Sequence, residues 1–355
     1  MKNKCFLKIY LNKNLGDDLF AEIISKRYPD TDFYTFQMNN LNYNFNNIKV
    51  YNGTFYRGIN KLLKVISRGK LRLENYLVKN SDVSVVLGGS LFIEGKSQRL
   101  EELQYAKKYY IIGSNFGPYK TEEYKSYFEE IFDKAESVSF RDQKSLNEFP
   151  NKENIKCYPD IIFSLNTENI KNSNNNKVVF SIIDCKSKVD EKYEKEYDQM
   201  IIDFTKYYAK KNMDIVYMSF CKNEGDEVAI ERIYNKLDEN LKEKVSKYYY
   251  RDNLKEALDV IGDSQVIVGS RFHSIILGFV LNKKVIPIIY SDKTSNVLKD
   301  LKFDGKSVDI RKLNEFKEDE IASYDENTIL NVDDERKKSQ LHFADLDQVL
   351  KEMEK

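Results

Sequence analysis

The sequence predicts an α/β fold built as two lobes, and three observations carry that expectation. The chain has 355 residues, enough at roughly 150 residues per domain for two separate cores. Short β-rich runs alternate with amphipathic helical ones along its length, the pattern of parallel strands joined by helical crossovers. Between Asn166 and Asn176 the run NTENIKNSNNN has no apolar periodicity, only asparagine and charge, and reads as a surface linker. The expected parts are a first α/β lobe over 1–165, the linker 166–176, a second α/β lobe over 177–320, and a C-terminal segment over 321–355.

The elements follow in order. Lys4–Tyr10 (KCFLKIY) reads as a strand, LNKNLG as a polar turn, and DDLFAEIISKRY as a helix by its apolar spacing. Further strands end at Gly88 and Gly89 in SVVLGGS, near Gly113 in YYIIGSNFGP, at Arg141 in SVSFRD and at Asp160 in KCYPD. Beyond the linker the pattern restarts with KVVFSII, DIVYMSF (Asp214–Phe220), KYYY, QVIVGS and KVIPIIY as five strands. From about Asp333 to Lys355 the chain reads as a charged amphipathic helix, with nothing in the sequence to show where it docks. Every strand stops in a small or polar residue, and in this architecture ligands bind beyond the carboxyl ends of the strands.

Composition narrows the function. Lysine plus arginine (57) balances aspartate plus glutamate (57), so no global field draws the protein to nucleic acid or anionic lipid. The apolar run in MKNKCFLKIYLN is too short for a signal peptide and no stretch is long enough to span a bilayer, so a cytoplasmic protein is expected. Cys5, Cys157, Cys185 and Cys221 are far apart in sequence and read as buried thiols rather than metal ligands. With only His273 and His342 in the chain, no zinc site is expected.

The sharpest local signal is QVIVGSRFHSIILGF, where a buried strand runs to Gly269, Ser270 can cap, and an apolar helix starts at once with Arg271 and His273 in its first turn. Unpaired backbone amides and the positive end of the helix dipole favour an anion there, and the Arg271 fork suits phosphate or carboxylate. The bland alternative pairs Arg271 with a surface carboxylate and leaves His273 an ordinary polar residue, but a cation at a helix N-terminus opposes the dipole. In NLGDDLF, Asp17 and Asp18 either cap the first helix or accept hydrogen bonds from sugar hydroxyls, with Gly16 letting the loop approach a ligand. Gly88 and Gly89 leave a strand mouth open, or serve a turn. Arg141, a long cation closing a buried strand, points to a ligand cleft, against a salt bridge with Asp142 or Glu136. Lys293 follows another strand on a lysine-rich chain.

Taken in order, NLGDD, VVLGGS, IGSNFGP, SFRD, YPDIIFSL and SRFH resemble the polysaccharide pyruvyl transferase family over about Asn14 to Lys293. The resemblance implies two Rossmann-like lobes facing across a cleft, GT-B-like in form. It implies transfer of pyruvate from phosphoenolpyruvate to a hexose of a surface polysaccharide or its lipid-linked precursor, usually as a cyclic ketal, with release of phosphate. The family's donor-binding arginine corresponds to Arg141 and its Arg-x-His element to Arg271 and His273. Phe272 stands where leucine is common, adding bulk but no charge; Ser270 belongs to the same turn, and Lys293 resembles a basic residue after the next strand. Asp17, Gly88 and Gly89 match loop motifs on the acceptor side, where Gly16 and Asp18 also fall.

Phosphoenolpyruvate needs several positive groups, which Arg141, Arg271, Lys293 and a helix N-terminus supply in a chain of zero net charge. Ketal formation also needs a group titrating near neutral pH, and His273 is the residue placed for it. The scheme requires no metal and no cofactor, phosphoenolpyruvate being a co-substrate. It implies an acceptor met at the inner face of the cell membrane by peripheral contact. Two other classes share the architecture: a GT-B-like nucleotide-sugar glycosyltransferase and a non-catalytic glycan-binding protein.

Overall fold

Seven strands form a first sheet: β1 (Asn3–Ile9), β2 (Thr31–Phe36), β3 (Ile48–Tyr51), β4 (Val83–Leu87), β5 (Tyr109–Ser114), β6 (Ser137–Phe140) and β7 (Ile155–Cys157). Six more form a second: β8 (Lys177–Ser181), β9 (Asp214–Ser219), β10 (Val245–Tyr249), β11 (Val266–Gly269), β12 (Lys284–Ile289) and β13 (Val308–Asp309). This computed structural model describes residues 3–95 and 100–353.

All the strand pairs are parallel, in the orders β3-β2-β1-β4-β5-β6-β7 and β10-β9-β8-β11-β12-β13. The fold is α/β, as the alternation of patterns implies. In each sheet the strand order reverses once, between β1 and β4 in the first and between β8 and β11 in the second. Such switch points, at the carboxyl ends of the strands, are where open α/β sheets bind ligands. In the second sheet the Gly269–His273 turn leaves from that point; in the first, Gly88 and Gly89 do.

Three strands fall outside the sequence reading. β3 and β13 are four and two residues long. β2 alternates buried and half-buried residues in TDFYTF, but it lies before an asparagine-rich stretch that masks its end.

The first unit comprises the chain up to Asn12, Asp17–Ser164 and the chain from Asp334 onward; the second comprises Lys13–Gly16 and Leu165–Asp333. The expected segment 321–355 is therefore divided. Its last part, with helices Asp333–Ser339 and Ala344–Met353 separated by a 3-10 turn, packs on the first sheet. Asp347 receives Arg27 Nε at 2.9 Å and the Tyr28 hydroxyl at 2.7 Å, Asn3 Nδ2 donates to the Leu350 carbonyl, and Phe343 and Leu346 are fully buried. This docking is tertiary, so no local pattern announces it.

The asparagine run is not a loose connection. The Lys171 amide donates to Asp259 at 2.8 Å, Asn175 Nδ2 to Asp263 at 2.6 Å, and the Ser173 hydroxyl to Asp263, which fixes the segment to the helix Leu254–Gly262 and its end. Each unit has its own core. A phenylalanine cluster of Phe92, Phe116, Phe128, Phe132, Phe140 and Phe149 fills the first, and Val178, Phe180, Ile201, Tyr217, Val268 and Ile286 lie at the centre of the second.

Candidate functional site

In the second unit the end of β11 turns straight into the helix Phe272–Val280. Arg271 occupies the N-cap position with extended backbone and no side-chain cap, which corrects the expectation that Ser270 caps. Ser270 is fully buried, its hydroxyl 2.8 Å from the Tyr197 hydroxyl and its amide donating to the Ser181 carbonyl at 3.1 Å. Ser181 Oγ also accepts the Arg271 amide at 3.0 Å and lies 2.6 Å from Ser274 Oγ. This hydroxyl network staples β8 to the turn, so Ser270 spends both groups on shaping it.

Arg271 is buried and its fork is occupied. Nε donates to Asp226 Oδ2 at 3.0 Å, Nη2 to Asp226 Oδ1, and Nη1 to Glu224 Oε2. Asp226 is fully buried and also accepts the Phe220 and Cys221 amides, each at 2.9 Å. Burial raises the Asp226 carboxyl above its ordinary value, against the pull of Arg271. Burial also opposes ionisation of Glu224, but Arg271 and Lys188, whose Nζ lies 2.6 Å from Oε2, outweigh it and hold that carboxyl at about 2.

Lys293 adds a third cation. Its Nζ lies 5.3 Å from the ring centroids of both Phe272 and Tyr290. Tyr290, just beyond β12, is buried, which alone would raise its phenol; Lys293, Arg271 and Lys188 together bring it below the ordinary value. Arg271, Lys188 and Lys293 thus gather with the Glu224 and Asp226 carboxylates at the carboxyl ends of β8, β9, β11 and β12.

His273 is half-buried in the first helical turn, its ring edge-on to Phe272. The segment Lys13–Gly16 reaches it as part of the same unit: the Leu15 amide donates to the Phe220 carbonyl at 3.0 Å, and Asn14 pairs with Cys221. A Cβ on Gly16 would lie 1.6 Å from His273 Nδ1, so the imidazole fills the place of the missing side chain. Asp17 and Asp18 follow within the first turn of the helix Leu15–Arg27, which starts two residues earlier than the sequence suggests, so neither stands at a cap. Asp18 is buried.

In the first unit Arg141 is also buried and held. Nη1 meets Asp160 at 2.8 Å, and Nη2 donates to Asn115 Oδ1 at 2.8 Å and Ser90 Oγ at 3.3 Å. Its partner is thus Asp160; Asp142 instead caps the short helix Gln143–Asn147 through the Ser145 amide. A Cβ on Gly89 would lie 2.4 Å from Arg141 Nη1, so this glycine is required by the guanidinium. Gly88 has φ +144°, a conformation that side chains rarely adopt.

The structure therefore brings Gly16, Arg271, Phe272, His273 and Lys293 together in the second unit, and Gly88, Gly89 and Arg141 in the first. Tyr290, the end of the expected strand KVIPIIY, joins the second group, and Glu224, Asp226 and Lys188, which were not singled out in the sequence, complete it. The loop CKNEGDE, directly after the expected strand Asp214–Phe220, was the available signal for the two acids. Among the described residues no group of three or more His, Cys, Asp or Glu side chains is arranged to hold a metal ion, and no helix is long and apolar enough to cross a membrane.

Two doubly wound parallel units with an arginine-histidine turn at a switch point define an α/β protein of the GT-B-like class. The chain belongs to the polysaccharide pyruvyl transferase family, whose model matches residues 14–292. Among solved structures it is similar to Methanocaldococcus jannaschii UDP-GlcNAc 2-epimerase, with a TM-score of 0.55 at 13% identity, covering 96% of this chain and 99% of that one. HepE of Anabaena, solved with UDP and glucose, gives 0.54 at 10% identity over 97% and 100%. A glycosyltransferase from Rickettsia africae gives 0.51 at 12% identity over 100% and 99%. At these identities the likeness is one of fold. No curated protein matches the chain.

Proposed function

We propose that this protein transfers pyruvate from phosphoenolpyruvate to a hexose of a surface polysaccharide or its lipid-linked precursor, forming a ketal and releasing phosphate. Membership of the pyruvyl transferase family supports the reaction class. The observation that carries the chemistry is the turn of the second unit, where Arg271, Lys188 and Lys293 gather around Glu224 beside His273.

In this reading the Glu224 carboxylate occupies the position that an anionic group of the donor takes. Asp226 cannot play that part, because two backbone amides together with Nε and Nη2 of Arg271 hold it in place. Donor binding displaces Glu224 from Arg271 and Lys188, while Lys293 supplies a further cation. Phe272 shapes the apolar side of the pocket. Arg141 is assigned to the donor and Asp17, Asp18, Gly88 and Gly89 to the acceptor by their match to the family's motifs.

Of the two protons lost by the acceptor hydroxyls, one ends on the methylene carbon, which becomes a methyl, and one on the departing phosphate. His273 is the group assigned to that transfer. The reaction needs no redox partner. It is placed in the cytoplasm, at the inner membrane face.

Incubation with phosphoenolpyruvate and a panel of hexose glycosides tests the reading, with phosphate release and a gain on the sugar of the mass of pyruvic acid less one water as readouts. Phosphoenolpyruvate should also protect the protein against heat far more than sugar nucleotides do. Protection by a sugar nucleotide alone would instead assign a glycosyltransferase. Ligand binding with no phosphate release from any acceptor would assign a non-catalytic glycan binder.

A further inference from the structure

The helix Gly53–Ile66 carries three distinct faces. Tyr56 and Leu63 pack against the cluster of Phe6, Phe36, Leu73, Leu77 and Val78, and buried Asn60 accepts the Leu73 amide at 2.9 Å, so this face fixes the helix to the first unit. Phe55, Leu62 and Ile66, at i, i+7 and i+11, form a second face with Val65 beside it, and this one looks to solvent. With Leu71 and Tyr76 just beyond, these six large apolar side chains are 48 to 72% exposed. The third face is cationic: Arg57, Lys61 and Lys64 recur at i, i+4 and i+7, with Arg68, Lys70 and Arg72 just beyond the helix end, Arg72 paired with Glu101 at 3.2 Å. No aspartate or glutamate lies between Gly53 and Arg72 in a chain whose net charge is zero.

We infer that this surface docks the first unit on an anionic phospholipid bilayer. A solvent-facing apolar stripe bordered by lysine and arginine is the pattern of a helix that lies in the membrane interface, its apolar face among the acyl chains and its cations among the headgroups. At 14 residues the helix is too short to span a bilayer. The charge pattern selects this occupant over the others. A two-fold contact with a second copy would set like charge against like charge. Nucleic acid would use the cations but leave Leu62, Val65 and Ile66 against a phosphate backbone. The inference gives the membrane-face reading a place on the molecule, yet it rests on residues 53–76 alone.

Co-sedimentation of the full chain with vesicles tests it, without donor or acceptor, so that its failure leaves the transferase reading untouched. The protein should bind vesicles of phosphatidylglycerol and phosphatidylcholine in equal parts, bind pure phosphatidylcholine far less, and release on raising the salt. Lys61→Gln with Lys64→Gln should weaken binding by about 25-fold, at about fivefold per cation. Leu62→Ser with Ile66→Ser should weaken it further. All four side chains are exposed, so an unchanged melting temperature is expected and confirms that the variants are folded. Equal binding to both vesicle types, or full binding by the folded variants, would overturn the proposal. So would a dimer in solution that the Leu62→Ser, Ile66→Ser change dissociates, since the apolar face would then be covered by a second copy.

Discussion

The imidazole of His273 occupies the space that a side chain at residue 16 would fill, with Nδ1 1.6 Å from the position of a Cβ on Gly16. A glycine in the first turn of the helix Leu15–Arg27 and a histidine more than two hundred residues away thus share one space, and the glycine's smallness sets where the ring can be. Gly16→Ala is expected to fold, because a side-chain ring can swing aside more cheaply than backbone can move. The swing takes the imidazole from its place, so turnover should fall by at least about tenfold while phosphoenolpyruvate affinity changes little. Normal turnover in this variant would show that the ring's position is not needed.

His273→Gln separates catalysis from packing. If the imidazole moves the proton, turnover should fall by about 10² to 10⁴ with donor affinity kept within a few fold. The wild-type rate should depend on pH near the histidine range, and that limb should be missing from the residual activity of the variant. A purely structural histidine gives the reverse: a lower melting temperature with rate per folded molecule intact.

Glu224→Gln tests the idea that this carboxylate stands in the donor's place. Held at about 2 by Arg271 and Lys188 against its burial, it stays ionised at any working pH, so only substitution removes the competing charge. Phosphoenolpyruvate should then bind about tenfold more tightly, the scale of one charged hydrogen bond no longer given up. Calorimetric titration reads this directly, and weaker binding would assign Glu224 to holding the pocket instead.

Arg271→Ala should act chiefly on stability. It leaves Asp226 buried without its cation, which costs on the order of 3–5 kcal/mol, more than the about 1.5–3 kcal/mol of a lost ligand contact. Donor affinity in this variant is informative only in its folded fraction. The double change Arg271→Met with Asp226→Leu should recover melting temperature without recovering donor binding.

The extent to which the molecule is legible in its sequence follows from which interactions are local. Strands such as VVLGG and QVIVGS stand out because a parallel strand buried on both faces is a continuous apolar run. The edge strands Ile48–Tyr51 and Val308–Asp309 are short and part-exposed, and carry no such run. The Arg271 turn could be read as an anion site from helix-terminus physics alone. That Asp226 and Glu224 already hold the fork could not, because they come from the end of another strand. The same holds for Arg141: Asp160 was visible as a strand end, but its pairing with the arginine depends on β6 and β7 being neighbours.

The second histidine gives a prediction with a definite sign. His342 is buried in the first unit, with Nδ1 2.8 Å from the Ser139 hydroxyl and Nε2 2.8 Å from the Pro159 carbonyl, so Nε2 carries the proton and Nδ1 accepts. Burial lowers its pKa from 6.5 to about 4, although the Pro159 carbonyl and Asp160 favour the charged form. Above pH 6.5 the ring is neutral in folded and unfolded chains alike, and the stability linked to it is fully present. As the pH falls from 6.5 towards about 4, the unfolded chain takes up a proton that the folded one refuses. Stability should therefore decline by up to about 1.4 kcal/mol per pH unit, for a loss on the order of 3 kcal/mol, and flatten below the folded pKa. Other carboxylates add to acid unfolding, so the measurement is a difference between wild type and His342→Gln, whose amide can still donate to the Pro159 carbonyl. Denaturant midpoints across this range should converge as the pH falls, because only the wild type loses the histidine contribution. Parallel curves would mean that the ring is protonated in the folded state, and that the packing of the C-terminal segment on Ser139 and Pro159 opens in acid.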